Sequence, residues 1–254
     1  LSFTAGFAWT VFPPCPHEAM QECARHFYDN HPHVAEPGTA FVYMGGTFVD
    51  MQIAGAAIEV ITEKRFVRLF QGLADEAGMG PNCFYVNEDN PALGHGMVCT
   101  ARDMGAFLQA YYDLKLVNDT ERNQMEAQQF PEATPDLARL MAGGYGFGNW
   151  YECILLGALS GGMTEECEAQ DSHGSAGIKG WWPGQDRTIG YWYQWKVNQG
   201  FGSGAAISAL HRLLWKPMID AVLLGRPLTN DALPAPITAQ EVGQLRRKFG
   251  SVFG

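Results

Sequence analysis

The chain has 254 residues, and 46% of them are hydrophobic, so it can bury a sizeable core. Its formal net charge is −10 at pH 7, from 27 acidic and 17 basic residues. A nucleic-acid partner is therefore not expected, because affinity for phosphate depends on clustered cations. No run of apolar residues is long enough to cross a bilayer, and we expect a globular protein without a membrane span.

Two helices in the first half of the chain are predicted by the residues that cap their first turns. Thr47 and Asp50 open a helix that runs to about Thr62, since a Thr hydroxyl can accept from an orphan N–H and an acidic residue suits the first turn. Most of its residues are apolar, so we expect it to be buried. Thr100 and Asp103 form a second cap of the same kind, followed by apolar residues at the spacing of one helix face.

The second half of the chain indicates a sheet followed by a helix. Residues 145–156 and 188–197 carry aromatic and β-branched side chains bounded by glycines, which predicts strands that pair within one sheet. A helix is predicted over residues 205–224. Pro217 should kink or break it, because proline lacks an N–H and its ring clashes with the preceding turn.

The carboxy-terminal end differs from the rest in composition. Residues 226–236 are linker-like, and a capping box at 238–241 predicts a short terminal helix. We therefore predict one folded domain over residues 1–225 and a linker with a short helix over 226–254.

The six cysteines fall into three local couples, and no C-x-x-C or other zinc-like spacing occurs. This pattern favours disulfides over a metal site, although the sequence does not choose among the connectivities. Disulfides favour a secreted or extracellular protein, as does a glycosylation sequon at Asn118. The couples are Cys15 with Cys23, Cys83 with Cys99, and Cys153 with Cys167.

Several short segments match, in order, the motifs of one known family. Residues 1–7, L-S-F-T-A-G-F, are similar to L-[LS]-x-H-T-S-G-L, with Phe3 where His is usual. Residues 36–43, E-P-G-T-A-F-V-Y, resemble P-G-x-x-F-x-Y, and residues 99–107, C-T-A-R-D-M-G-A-F, resemble S-T-A-x-D-M-x-x-F. Residues 144–148, G-Y-G-F-G, resemble Y-G-x-G-W. The chain thus resembles the carboxy-terminal two thirds of the serine β-lactamase and penicillin-binding-protein-like family, especially its class C and esterase branch.

This resemblance implies an α/β (α+β) fold, with an antiparallel sheet flanked by helices and a helical subdomain. Family members build the sheet from both chain ends, so we expect the amino-terminal part to be missing here and a companion chain or unseen segment to complete the sheet. The family's nucleophile is the Ser of a Ser-x-x-Lys pair. No serine of this sequence has Lys three positions later, and we expect the pair upstream of Leu1.

The remaining family motifs name candidate site residues. Tyr43 matches the Tyr of the family's Tyr-x-Asn motif and would transfer protons; the alternative is an aromatic packed in the core. Gly45 stands at the Asn position, which removes an amide that contacts the substrate in the family. The resemblance therefore leans towards an esterase and away from a β-lactam substrate.

The candidate for the third family motif is Ser172-His173-Gly174-Ser175. Of the two registers, we prefer the one that keeps glycine at 174, where close backbone approach requires it. The Ser175 N–H is then the candidate oxyanion donor and His173 a cleft-lining residue, although a lone His beside glycines is as often an ordinary loop residue. Trp181 and its neighbour Trp182 either stack on a substrate or belong to the core.

Two functions from different classes follow from these residues. The first is a secreted serine hydrolase that cleaves a small ester or amide through an acyl-enzyme. The second is a catalytically inactive module with a binding or structural role in an extracellular assembly. Neither requires a cofactor, and we expect no metal, because His31-Pro32-His33 lacks a convergent third ligand.

Overall fold

The computed structural model describes residues 2–8, 18–43, 46–133, 144–152, 171–175, 177, 179–197 and 203–228. The chain divides into two compact units, Leu1–Leu140 with Gly144–Gly148, and Met141–Gly143 with Asn149–Gly254. Within the described residues, no helix is long and apolar enough to cross a membrane.

The first unit is mostly helical. Its described helices are α1 (Met20–Asn30), α2 (Met51–Thr62), α3 (Phe66–Glu76), α4 (Ala101–Tyr112) and α5 (Asp119–Glu126), and its antiparallel hairpin pairs β1 (Phe84–Tyr85) with β2 (Met97–Val98). Helices α1 and α2 pack on each other and build two small core clusters. One cluster comprises Phe7, Cys23, Phe27 and Val49, and the other comprises Met20, Ala24 and Ala56.

The predicted cap of α4 is confirmed. The side-chain oxygen of Thr100 accepts a hydrogen bond from the Asp103 N–H at 3.1 Å, and the Thr100 hydroxyl donates to the Asp103 carboxylate at 2.6 Å. Met104 and Leu108 on the following turns are buried, as their spacing predicted.

Helix α2 departs from its prediction at its start and on its surface. A π-helical turn over Gly46–Asp50 leads into it, and the side chain of Asp50 does not cap it. The expected burial is wrong for its last turns, since Val60 is 63% and Ile61 80% exposed. Two polar residues, Gln52 and Glu59, are buried on this helix beside Ala56, and the Glu59 carboxylate accepts the N–H that opens α3 at 2.7 Å.

The second unit contains a four-stranded antiparallel sheet and one long helix. The strands are β3 (Trp150–Tyr151), β4 (Ser172–Gly174), β5 (Trp181–Asp186) and β6 (Tyr191–Lys196), and they lie side by side in that order. The two predicted strand regions therefore share a sheet, as expected, but β4 and β5 lie between them. The last strand begins at Tyr191 and not at 188, because residues 187–190 form a turn in which the Ile189 N–H donates to the Asp186 carboxylate.

Strand β5 was not predicted, because Pro183 and Gly184 interrupt its pattern. Pro183 has no N–H to donate to a ladder, yet its carbonyl accepts from the Ser175 N–H at 2.9 Å. A side chain at Gly184 would meet the ring of Tyr193 on β6, about 2.7 Å away. Glycine is thus required by packing at a position where the sequence suggests a turn.

Helix α6 (Ser203–Leu223) packs on β5 and β6. The helix continues through Pro217, so the prediction of a break at this residue is wrong. The ammonium of Lys216 lies 2.5 Å from the Asp186 carboxylate on β5 and 2.9 Å from Asp220 one turn further along α6. The pair with Asp186 holds the helix to the sheet, and the pair with Asp220 lies within α6 and spans the proline.

A disulfide joins Cys83 and Cys99, one of the connectivities that the sequence left open. Cys23 is also disulfide-bonded. Its predicted partner Cys15, the couple Cys153 and Cys167, the position of Gly45, and residues 229–254 with the predicted terminal helix lie outside the described residues.

Candidate active site

In the first unit, backbone hydrogen bonds join two of the motif segments. The Val42 N–H donates to the Phe3 carbonyl at 2.8 Å, and the Gly38 N–H donates to the Thr4 carbonyl at 2.7 Å. Gly6 has a φ of 89°, and a side chain there would collide with the Ala35 backbone, so only glycine allows this close approach. The segment around residues 2–7 thereby fixes the backbone that carries Tyr43.

Tyr43 is half-buried in an aromatic cluster. Its ring meets Phe3 edge-on at 5.5 Å and Tyr145 at 6.1 Å, and lies 6.4 Å from Phe41. Burial raises the pKa of Tyr145 well above its ordinary value, and the nearby Tyr43 phenol adds to this. Tyr145 is therefore neutral at all ordinary pH values, whereas Tyr43 is the partly exposed phenol of the pair.

In the second unit, His173 is 4% exposed and lies in β4. Its Nδ1 is 3.3 Å from the side-chain oxygen of Asn149, and its Nε2 is 3.3 Å from the Asp171 carboxylate. The hydrogen bond from His173, with a further contribution from Arg187, lowers the pKa of Asp171 below its ordinary value. His173 is thus a fixed strand residue and not part of a loop.

The register of the sheet shows which side chains accompany His173. Tyr151, His173, Gln185 and Trp192 stand opposite one another across β3 to β6. Because side chains alternate along a strand, a side chain at position 174 would lie on the opposite face of the sheet from His173. The Tyr151 ring packs on the imidazole with centroids 4.7 Å apart.

The glycine requirement at position 174 has an identifiable cause. A Cβ on Gly174 would overlap the Glu152 carboxylate and approach the Pro183 carbonyl to 3.0 Å. The next residue, Ser175, donates its N–H to that same carbonyl at 2.9 Å. The amide that we expected as an oxyanion donor is therefore engaged in the sheet.

The indole rings of Trp181 and Trp182 differ in burial and in their hydrogen-bond partners. Trp182 is 1% exposed and belongs to the core, where its Nε1 donates to Glu152 at 2.6 Å. Trp181 is half-buried on the other face, donates to the Gln194 side chain at 3.2 Å, and carries the Lys196 ammonium 3.9 Å from its ring centre. One face of the Trp181 ring is thus already occupied by a cation.

No family model matches the sequence, and no curated protein matches it. Solved structures do match. A candidate β-lactamase from Bacteroides dorei superposes with a TM-score of 0.64 and 25% identity over 80% of this chain. The chain has a serine β-lactamase and penicillin-binding-protein-like fold. It spans 63% of the Bacteroides protein's length.

Two further structures show the same fold. A β-lactamase from Mycobacterium bovis has a TM-score of 0.58 and 19% identity, covering 84% of this chain and 71% of its own. A penicillin-binding protein from Bacillus halodurans has a TM-score of 0.60 and 17% identity, covering 84% and 70%. The resemblance seen in the motifs is therefore confirmed for the mixed α/β fold with its antiparallel sheet.

This β-lactamase-like fold contains a buried ion pair that the motifs did not indicate. Arg212 of α6 pairs with the Glu152 carboxylate, donates to the Glu152 carbonyl at 2.6 Å, and lies 3.4 Å from the Tyr193 hydroxyl. Burial, followed by the neighbouring Glu152 carboxylate, raises the pKa of Tyr193. Both partners were visible as charged residues within otherwise apolar segments, and a buried charge needs a counter-charge.

The β-lactamase-like chain thus distributes its candidate residues over two units. Tyr43 belongs to the first, with the aromatic cluster around it. The other candidates belong to the second unit, where His173 and Gly174 lie on β4, Ser175 follows directly after it, and Trp181 begins β5. Asn118 is exposed in the first unit, where its side-chain oxygen caps α5 by accepting the Glu121 N–H at 2.9 Å.

Proposed function

We propose that this chain is part of an exported serine hydrolase that cleaves a small ester or amide through an acyl-enzyme. The observation that carries the proposal is the 25% identical structural match over 80% of the chain to a candidate β-lactamase. The Cys83–Cys99 disulfide supports an oxidising compartment. Because no Ser-x-x-Lys occurs among the 254 residues, the proposal places the nucleophile and its Lys on residues outside this sequence.

In this proposal Tyr43 is the proton-transfer group. A serine hydroxyl is a weak nucleophile until a base takes its proton, and a phenol near an ammonium can serve because the positive charge lowers its pKa. The half-buried position of Tyr43 leaves part of its ring accessible. Gly45 has no side-chain amide, which favours an ester over a β-lactam substrate. The proposal assigns substrate contacts to His173, Gly174, Ser175 and Trp181 of the second unit.

One observation favours a second function, that of an inactive binding module. The Ser175 N–H donates to Pro183 within the sheet, and His173 is held between Asp171 and Asn149. Groups that catalyse acyl transfer need donors free to meet a developing negative charge. A strand whose donors are already engaged fits a structural role.

We also propose that another strand completes the sheet. Strand β6 is the last in the sheet order, and among the described residues no strand pairs with its outer edge. A further strand at this edge would extend the antiparallel sheet, as the resemblance to the family implies. Mass measurements on the native protein, reduced and non-reduced, should reveal a companion chain; a single mass of 27.9 kDa under both conditions would refute it.

Covalent labelling tests the hydrolase itself. A fluorophosphonate probe and a fluorescent penicillin are added to the native protein before and after heat denaturation. Labelling of the native sample alone, by the fluorophosphonate more than by the penicillin, supports an esterase with an activated serine. A folded protein that takes up neither probe supports the inactive module.

A further inference from the structure

A cavity of about 210 Å3 lies in the first unit, between the start of α2 and the residues that connect β1 to β2. Most of its lining is apolar. The side chains that shape it include Phe48, Gln52, Val86, Asn90, Leu93 and His95.

Two buried polar side chains of this cavity, Gln52 and Asn90, bond to each other. The Gln52 amide donates to the Asn90 side-chain oxygen at 2.6 Å, and the Gln52 oxygen accepts the Leu93 N–H at 3.1 Å. Both side chains are buried, Gln52 at 4% and Asn90 at 7% exposure. The two buried side-chain amides already have hydrogen-bond partners, so an apolar ligand group placed there would not break a polar contact. The part of the cavity that remains for a ligand is therefore apolar.

His95 lies at the rim of the cavity. Its ring packs edge-on against Phe48 with centroids 5.0 Å apart, and the side chain is exposed. The N–H groups of His95 and Gly96 both donate to the Ala92 carbonyl, at 3.1 Å and 2.6 Å, which holds this turn in place. A ligand with an apolar body and a polar end would find both kinds of surface here.

A disulfide closes the segment that forms the cavity wall. Cys83 and Cys99 are 16 residues apart in sequence, and the β1–β2 pairs Phe84 with Val98 and Tyr85 with Met97 lie just inside them. A segment tied at both ends loses less conformational entropy when a ligand orders it. The disulfide thus prepares the wall for binding.

We propose that this cavity, the loop pocket, binds the straight apolar acyl chain of the substrate, with its carbonyl end near His95, and that the Cys83–Cys99 disulfide maintains it. The proposal rests on the proposed function for the identity of the ligand. Phe48, which lines the loop pocket, follows Tyr43 within one short stretch of chain, so the pocket adjoins the candidate proton-transfer group in sequence.

Calorimetric titration with straight-chain carboxylates of increasing length tests the binding. The affinity should rise about fourfold with each added methylene until the cavity is full, and then level off. Val86→Trp places a large ring in the pocket from a residue that is 71% exposed, so the fold should tolerate it. It should weaken binding by at least about tenfold.

Val60→Trp is the matched control, because Val60 is 63% exposed on α2 and does not line the pocket. It should leave the affinity unchanged. An affinity that does not depend on chain length, or an equal loss in both variants, would overturn the loop pocket.

The disulfide is tested with the double variant Cys83→Ser/Cys99→Ser, which spares the disulfide of Cys23. It should bind the longest carboxylate about tenfold more weakly, because the loop must be ordered on binding. A reductant should weaken the wild type to the same extent and change the double variant no further. Unchanged affinity in the double variant would refute the role of the disulfide.

The two proposals fail separately. Carboxylate binding without covalent labelling would leave the loop pocket in place and remove the hydrolase. Labelling without length-dependent carboxylate binding would leave the hydrolase in place and remove the pocket.

Discussion

The Glu152 carboxylate occupies the space that a side chain on Gly174 would need, and Arg212 of α6 pairs with the same carboxylate. The buried Glu152–Arg212 ion pair therefore packs against β4, the strand that carries the third motif. Substitutions on either side of this contact should reveal how strongly the sheet depends on it.

Gly174→Ala should destabilise the protein by about 1–3 kcal/mol, because the added methyl group overlaps the Glu152 carboxylate and overpacks the layer. Urea unfolding measures the change. Gly72→Ala on α3 is the control, since beyond the backbone of its own helix and its chain neighbours no atom lies within 4 Å of the added Cβ, and alanine favours a helix by about 0.5–1 kcal/mol. Equal stability changes in the two variants would contradict the steric account.

Removing one partner of the Glu152–Arg212 pair should cost more. Arg212→Met leaves a buried carboxylate without its counter-charge and should lower the free energy of unfolding by about 3–5 kcal/mol. Adding Glu152→Gln to this variant should recover part of the loss, since the unpaired charge is gone. A double-mutant cycle in urea measures the coupling, and strictly additive losses would show that the two residues do not interact.

Tyr43→Phe should slow covalent labelling by about a hundredfold if its phenol transfers a proton, and it should leave the fold intact. The rate of fluorophosphonate labelling and the far-UV circular dichroism report the two properties. Tyr28→Phe is the matched control, because Tyr28 is 67% exposed on α1. A Tyr43→Phe rate equal to that of the control would remove Tyr43 from the mechanism.

Asp171 should contribute stability that depends on pH. Its pKa in the folded state is below the ordinary value of 3.8, chiefly through the hydrogen bond from His173, so the contribution is present above pH 3.8 and is lost as the pH falls through the folded-state pKa. At pH 7 the wild type should have a higher midpoint of urea unfolding than Asp171→Asn, and this difference in midpoint should shrink in strong acid. Asp29→Asn, at an exposed position on α1, is the control; a gap that grows towards low pH would reverse the assigned sign.

Asn118 should carry a glycan when the chain passes through a eukaryotic secretory pathway, because its side chain is exposed at the start of α5. Thr120→Ala removes the sequon and leaves the Asn118 cap in place, so it should remove the mass increment with little effect on stability. Asn118→Ala should remove both the glycan and about 1 kcal/mol of stability. A wild-type chain without added mass would show that the site is not used.

Features that depend on neighbouring residues could be predicted from the sequence. The Thr100 cap of α4 needs only Asp103 three positions on, and disulfides were expected from the cysteine couples, although their connectivity was left open. Strand β5 was missed, because Pro183 and Gly184 break its pattern and the reason for the glycine is Tyr193 on the next strand. The burial predicted for α2 was wrong at Val60 and Ile61, because the neighbours that cover this helix belong to other elements.

In the candidate site, too, the sequence predicted local features but not contacts between distant residues. Motif order identified Tyr43 and Gly174, but nothing near them in sequence indicated the Phe3 contact or the Glu152 carboxylate. The Ser175 N–H could be assigned to the sheet only once its hydrogen bond to Pro183 was seen. Long-range partners are set by tertiary packing, which local pattern does not encode.

The backbone bonds from Gly38 to Thr4 and from Val42 to Phe3 also bear on how the protein folds. They join segments that are far apart along the chain, so the intervening loop must close before Tyr43 acquires its neighbours. The packing around Tyr43 therefore does not form within a single early helix or hairpin. In refolding experiments, the signal of its aromatic cluster should appear together with the final cooperative step, after the helices have formed.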